Sequence, residues 1–176
     1  MRIPAILDIE ASGFGRGSYP IEVGVAMPDR SVVSFLIAPA DDWTHWSEEA
    51  EGLHGLSREL LQEKGFSPRQ VAEQLNILLE GQVAYSDGWG VDSGWLALLF
   101  YYGGLQQAFK LDTLTSILSE EQLMRWDDTR DHLFKINDGR RHRAGFDARI
   151  LQDTYVETLE SIRREQLSDD RTRPHN

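Results

Sequence analysis

Residues 3–13 read Ile3-Pro4-Ala5-Ile6-Leu7-Asp8-Ile9-Glu10-Ala11-Ser12-Gly13. The run from Ile3 to Ile9 is short and mostly apolar, which predicts a buried strand, and the glycine-rich stretch from Gly13 to Gly17 ends it in a turn. Asp8 and Glu10 lie two apart, so on a strand their side chains point to the same face and can converge on one ion. In a chain with 29 acidic residues, a pair at this spacing is more often solvated surface. These two, however, follow Ala5-Ile6-Leu7, and an unpaired carboxylate in apolar surroundings is costly unless a cation or hydrogen bonds compensate it.

Outward from this strand, Ile21 to Met27 and Val32 to Ile37 read as two more, separated by the turn residues Pro28-Asp29, so the chain opens with a three-stranded meander. Beyond Pro39 the pattern turns helical. Ser57 begins a short run, and Ser67-Pro68-Arg69-Gln70 combines an N-cap, a proline at the first helical position and a capping-box glutamine. Val71, Leu75, Leu78 and Leu79 follow at helical spacing until Gly81. Gln82 to Ser86 reads as a fourth strand, a helix is expected from about Asp92 to Tyr102, and Phe109 to Asp112 is the candidate for a fifth strand. Ser119-Glu120-Glu121-Gln122 is a second capping box, opening a helix that carries Leu123, Trp126 and Leu133. The last helix is expected from near His142 to Gln166, with Ala144, Ile150, Leu151, Tyr155 and Leu159 on its buried face. Residues 1–167 then form one domain, and the polar residues 168–176 a loose tail.

A chain of 176 residues with 40% hydrophobic content can bury one core of its own. The absence of cysteine excludes disulfides and thiolate metal sites, leaving carboxylates and imidazoles, which suit hard cations such as Mg²⁺ or Mn²⁺. The apolar stretches are too short to span a bilayer and residues 1–10 lack a signal-peptide layout, so no membrane partner and a cytoplasmic location are expected. A net charge of −11 argues against broad electrostatic wrapping of duplex nucleic acid. A polynucleotide would have to be gripped locally, through metals and a few arginines.

His142-Arg143-Ala144-Gly145-Phe146-Asp147 places an imidazole on the loop before a helix and a carboxylate about one turn in, so that a base and a metal ligand flank one water. The ordinary alternative is a helix-start histidine with an acid favoured by the macrodipole. Asp92, in the strand exit Ala84 to Leu96, falls in the first turn of a helix or caps it; capping is its ordinary reading.

Taken in order, these three segments resemble the three motifs of the DEDDh 3′→5′ exonuclease family, which includes polymerase proofreading subunits, RNase T and oligoribonuclease. The acid pair followed by Ser12-Gly13 matches the first motif, Val91-Asp92 with Trp95-Leu96 the second, and His142 with Asp147 the third. His54-Gly55-Leu56-Ser57 is similar to the family's His-Gly-Ile-Thr segment and Ile21-Glu22-Val23-Gly24 to its second strand, so the likeness covers residues 3 to about 155. Ala11 stands where threonine is common, and Asp87 near a position where asparagine is common. The resemblance implies an α/β, ribonuclease-H-like fold: a mixed five-stranded sheet, its first three strands antiparallel, with helices on both faces. It implies that Asp8, Glu10, Asp92 and Asp147 hold two Mg²⁺ or Mn²⁺ ions and that His142 deprotonates the attacking water. The substrate would be the 3′ end of single-stranded DNA or RNA, released as 5′-mononucleotides. Two cations roughly 3.5 to 4 Å apart can supply what such hydrolysis needs.

Ser12, Gly13, Phe14, His54, Leu56 and Trp89 are the candidates for contacting the terminal nucleotides, since aromatic platforms commonly hold single strands. Phe14 and Leu56 lead, because the resemblance puts both segments beside the 3′ end. Arg140, Arg141, Arg143 and Arg149 surround the third motif; Arg141 and Arg143 are the candidates for the substrate backbone, against the alternative that these arginines pair with Asp138 and Asp153. Trp43, Trp46, Trp95 and Trp126 are expected to pack, Glu22 to fix the active-site strand by hydrogen bonds, and His45, His132 and His175 have no evident partners. Several relatives act as dimers, which leaves a homodimer open. The rival class is a non-catalytic module that keeps the fold and binds nucleotide, RNA or protein; a missing ligand or base would favour it, and all five residues are present.

Overall fold

The computed structural model describes residues 3–137 and 141–172. Five strands, β1 (Ala5–Ala11), β2 (Pro20–Ala26), β3 (Val32–Leu36), β4 (Val83–Ser86) and β5 (Lys110–Thr113), form one mixed sheet in the order β3-β2-β1-β4-β5. β1–β2 and β2–β3 pair antiparallel, as the short meander turns require, whereas β1–β4 and β4–β5 are parallel and need helical crossovers. The helices are α1 (Glu48–His54), α2 (Arg58–Lys64), α3 (Pro68–Leu79), α4 (Trp89–Gly103), α5 (Glu120–Ile136) and α6 (Ala144–Thr172). This is the mixed α/β sheet expected from the sequence.

The period of two along β1 divides the molecule. Ala5, Leu7 and Ile9 join the core with Val71 and Leu75 of α3 and Leu96 and Leu99 of α4. Ile6 faces the other way, onto Trp126 of α5 and Ala148 and Leu151 of α6. Asp8 and Glu10 continue the Ile6 row towards the C-terminal end of the strand, so the pleat delivers both acids to the side where α6 begins.

Both predicted capping boxes form, at Ser67/Gln70 and Ser119/Gln122. On α5, Leu123 is exposed, and the buried position next to it belongs to Gln122, which donates to the Tyr155 carbonyl and the Thr158 hydroxyl. On α6 the buried face includes Ala144, Ile150, Leu151, Gln152, Thr154 and Thr158, while Tyr155 and Leu159 are half-buried. Three α-helices differ from expectation by more than small shifts at their ends. α1 is unanticipated: its sequence Glu-Glu-Ala-Glu-Gly-Leu-His has no apolar period, and it exists through its ends, with Ser47 accepting from the Ala50 amide and Gly55 closing it at φ 68°. α4 begins at Trp89, before Asp92, behind Gly88. α6 runs to Thr172, because loss of apolar spacing after Leu167 removes packing but does not stop an already propagating helix. Residues 168–172 of the expected tail are thus helical backbone, and 173–176 lie outside the described residues, as do Asp138 and Arg140. No described helix is long and apolar enough to cross a membrane.

Gly24 of β2 sets how closely α6 docks. A Cβ there would sit 2.1 Å from the Gly145 nitrogen and 2.2 Å from the Ala144 carbonyl carbon. Only a residue without a side chain lets the first turn of α6 lie directly on the sheet.

Candidate active site

Asp8, Glu10, Asp92, His142 and Asp147 all line one cleft of about 250 Å³. The acids on β1 arrive by the pleat, Asp92 by the first turn of α4, and Asp147 by the first turn of α6. Glu10, His142 and Asp147 each offer one ligand atom within 4.8 Å of the others'. Asp92 is almost fully buried, and its Oδ2 accepts a short hydrogen bond from the Ser86 hydroxyl at the end of β4.

The third segment is locked by its own backbone. His142 adopts a left-handed conformation (φ 67°), and its amide donates to Asp147 Oδ2 at 3.0 Å. The Asp147 amide in turn donates to the Arg143 carbonyl at 2.9 Å. The other oxygen of Asp147, Oδ1, is buried with no hydrogen-bond partner among the described residues. Beneath this turn, Glu22 of β2 is 2% exposed. It accepts from Arg143 Nε (3.0 Å) and Nη2 (2.8 Å) and from the Ala144 amide (3.0 Å). Glu22 therefore fixes the start of α6 rather than the first strand.

Burial and mutual repulsion push the carboxyl groups upward. Asp8 is raised well above the usual range, first by burial and then by Asp92, Glu10 and Asp147. Glu10 is pushed up to about 8 by burial, Asp147 and Glu22. Asp92 rises to about 7, chiefly through burial and despite the Ser86 hydrogen bond; Asp147 rises to about 6, chiefly through burial and despite the His142 amide. His142 is lowered by burial and by Arg141, which keeps it neutral at pH 7. Crowded carboxylates, an unsatisfied carboxylate oxygen and an adjacent imidazole form a donor set that fits hard divalent cations.

The other candidate residues divide. Gly13, Phe14 and His54 line the cleft. Phe14 is 78% exposed and lies 5.9 Å, ring to ring, from Trp95. His54 accepts the Leu56 amide on Nδ1 at 3.0 Å, leaving Nε2 buried and without a partner among the described residues. Ser12 is fully buried; its hydroxyl accepts from the Tyr19 amide and shares a hydrogen bond with His45, the partner that histidine lacked in the sequence. Leu56 is 2% exposed and belongs to the core, so it is no wedge. Trp89 is half exposed, donates to the Leu111 carbonyl and stands off the cleft wall. Arg143 is committed to Glu22 and Arg149 to Asp153, while the Arg141 guanidinium lies 4.8 Å over the Phe134 ring outside the cleft. The apolar wall consists instead of Phe14 with Leu53, Val91 and Trp95. Leu53 has no sequence signal of its own, because α1 lacks an apolar period; Ser47 and Gly55, which bracket its seven helical residues, are the signal the sequence offers. Trp95 also packs, donating to the Ser18 hydroxyl.

No family model matches the sequence, and no curated protein does. Solved structures do. E. coli exonuclease I in complex with a dT13 oligonucleotide is 18% identical, with a TM-score of 0.63 over 94% of this chain and 42% of that one. The zinc-ion-bound form of the E. coli exonuclease I complex with single-stranded DNA is 16% identical, with a TM-score of 0.65 over the same shares of the two chains, 94% and 42%. Exonuclease I from Methylocaldum szegediense gives 16% identity and 0.51 over 69% and 29%. The shared property is the fold. The match takes in 94% of this chain, which spans about 42% of the length of the E. coli exonuclease I chain.

Proposed function

We propose that this chain is a metal-dependent 3′→5′ exonuclease acting on single-stranded nucleic acid and releasing 5′-mononucleotides. One observation carries the reading: four carboxylates and a neutral histidine from β1, α4 and the start of α6 line a single cleft beside an apolar wall. The exonuclease I neighbours, solved with single-stranded oligonucleotides, support DNA as the first substrate to test.

Asp8, Glu10, Asp92 and Asp147 would hold two divalent cations. Such a pair supplies charge neutralisation at the phosphoryl oxygens, a more acidic water and support for the departing 3′-oxygen. His142 accepts the proton of the attacking water at its free ring nitrogen as the new P–O bond forms and the bond from phosphorus to the penultimate O3′ breaks. Phe14, Leu53, Val91 and Trp95 enclose the terminal base. His54, whose Nδ1 already serves as an acceptor, carries its proton on Nε2 and presents it to the terminal nucleotide. The ion pair with Glu22 holds Arg143, and through it His142 and Asp147, in register.

The test is a 5′-labelled single strand incubated with Mg²⁺, Mn²⁺ or EDTA. Stepwise shortening from the 3′ end, dependent on metal and blocked by a 3′-phosphate, is expected. Binding without shortening at saturating metal would refute catalysis and leave a nucleic-acid-binding module.

A further inference from the structure

A second concavity, of about 580 Å³, lies between the C-terminal half of α5 and the first turn of α6, lined by Arg130, Asp131, Phe134, Lys135, Arg141 and Phe146. Its floor is aromatic: the Phe134 and Phe146 rings stand 6.1 Å apart, and the Arg141 guanidinium rests on Phe134. In a chain of net charge −11, Lys135 and Arg141 have no carboxylate partner among the described residues. Arg130, by contrast, pairs with Asp127 and Asp131.

The groove adjoins the catalytic cleft along the chain: Arg141 and Phe146 of its lining directly precede His142 and Asp147, which line the cleft. Beyond the α1 wall of the cleft, Glu48, Glu51 and Glu59 line another concavity whose one cation, Arg58, is already held by the Tyr19 hydroxyl and the Trp43 carbonyl. The apolar wall of Phe14, Leu53 and Trp95 suits a terminal base and offers no cation to a continuing backbone.

We propose that the groove floored by Phe134 and Phe146 and flanked by Lys135 and Arg141 holds the phosphodiester chain of the single strand on the 5′ side of the scissile bond. This rests on the exonuclease reading, and it sets the direction in which the strand leaves the cleft. The contacts are to phosphates and base faces, so they favour longer strands without selecting sequence.

The experiment measures fluorescence anisotropy of 5′-labelled ten-residue oligothymidylate and of the dinucleotide with the whole chain in Ca²⁺, strand integrity being checked by gel. The wild type is expected to bind the decamer more tightly. The Lys135→Ala/Arg141→Ala double variant should lose about tenfold in decamer affinity and about 1.4 in salt slope, at roughly 0.7 per phosphate contact on a single strand. Lys135→Ala alone, at an exposed position, should lose about half of that slope. A wild type that binds decamer no better than dinucleotide, or variants with unchanged affinity and slope, would overturn the groove. Shortening of the decamer in Mg²⁺ is scored separately. Groove-dependent binding without shortening sinks the exonuclease reading alone, and shortening with unaltered variant affinity sinks the groove alone.

Discussion

Arg143 holds Glu22 through two nitrogens, at 3.0 and 2.8 Å, across 121 residues of sequence. The carboxylate is buried and the guanidinium partly exposed, so removing Arg143 leaves an uncompensated buried charge, whereas removing Glu22 leaves the Arg143 guanidinium and the buried Ala144 amide without their acceptor. Discounted for the exposed partner, Glu22→Ala should cost about 1–3 kcal/mol and lower kcat, because His142 and Asp147 flank the turn it anchors. A double-mutant cycle with Arg143→Ala, read by urea denaturation, should return a coupling of about 1 kcal/mol or more. Additive single effects would show that the two residues act independently.

Stability without metal should fall with rising pH. Unfolded carboxyls titrate near 4, whereas folded Glu10, Asp92 and Asp147 reach about 8, 7 and 6. The folded state therefore binds more protons between those values, and the stability it gains is complete below pH 4 and lost as pH climbs through 6 to 8. Melting temperature in EDTA should decline from pH 5 to 8.5, and saturating Mg²⁺ should flatten the decline. A rise across that window in EDTA would contradict the crowding of these acids.

Asp8→Ala removes one member of the crowded set, whose protonation is favoured by burial and by four neighbouring acids. Hydrolysis should vanish while the melting temperature in EDTA holds or increases. Near wild-type turnover at saturating Mg²⁺ would dismiss Asp8 as a metal ligand.

His142→Ala should lower kcat by roughly 10²- to 10⁴-fold, the usual worth of a positioned base. The imidazole also lies within ligand reach of Glu10 and Asp147, so a metal titration of single-turnover rates is needed to separate the roles. Recovery to near wild-type rate in excess metal would make it a ligand instead of a base.

Gly24→Ala adds one carbon where backbone atoms of Ala144 and Gly145 leave no room. Displacement of the first turn of α6 should cost about 1–3 kcal/mol, the usual range for overpacking, and reduce activity beyond that cost because Asp147 moves with the turn. An active, equally stable variant would show that the contact yields.

The residues that meet by short-range rules could be read from the sequence. Asp8 and Glu10 share a face because strands alternate, and the spacing of His142 to Asp147 survives because a backbone amide closes it. The capping boxes of α3 and α5 were equally plain. What depends on distant partners was hidden. Leu53 faces the cleft and Leu56 the core because α1 forms from its caps without an apolar stripe. Arg143 is lost to the substrate because its partner lies on β2, and Ser12 because Tyr19 and His45 close around it.

The division of the acids between β1 and α6 also orders events during synthesis. Domains generally fold as units, and β1 through β5 all leave the ribosome before α6 does. Until then Asp8 and Glu10 lack Asp147 and His142, and β2 lacks the turn that Glu22 and Gly24 receive. The cleft is thus completed only once α6 has emerged, so a nascent chain carries the acids of β1 without the site.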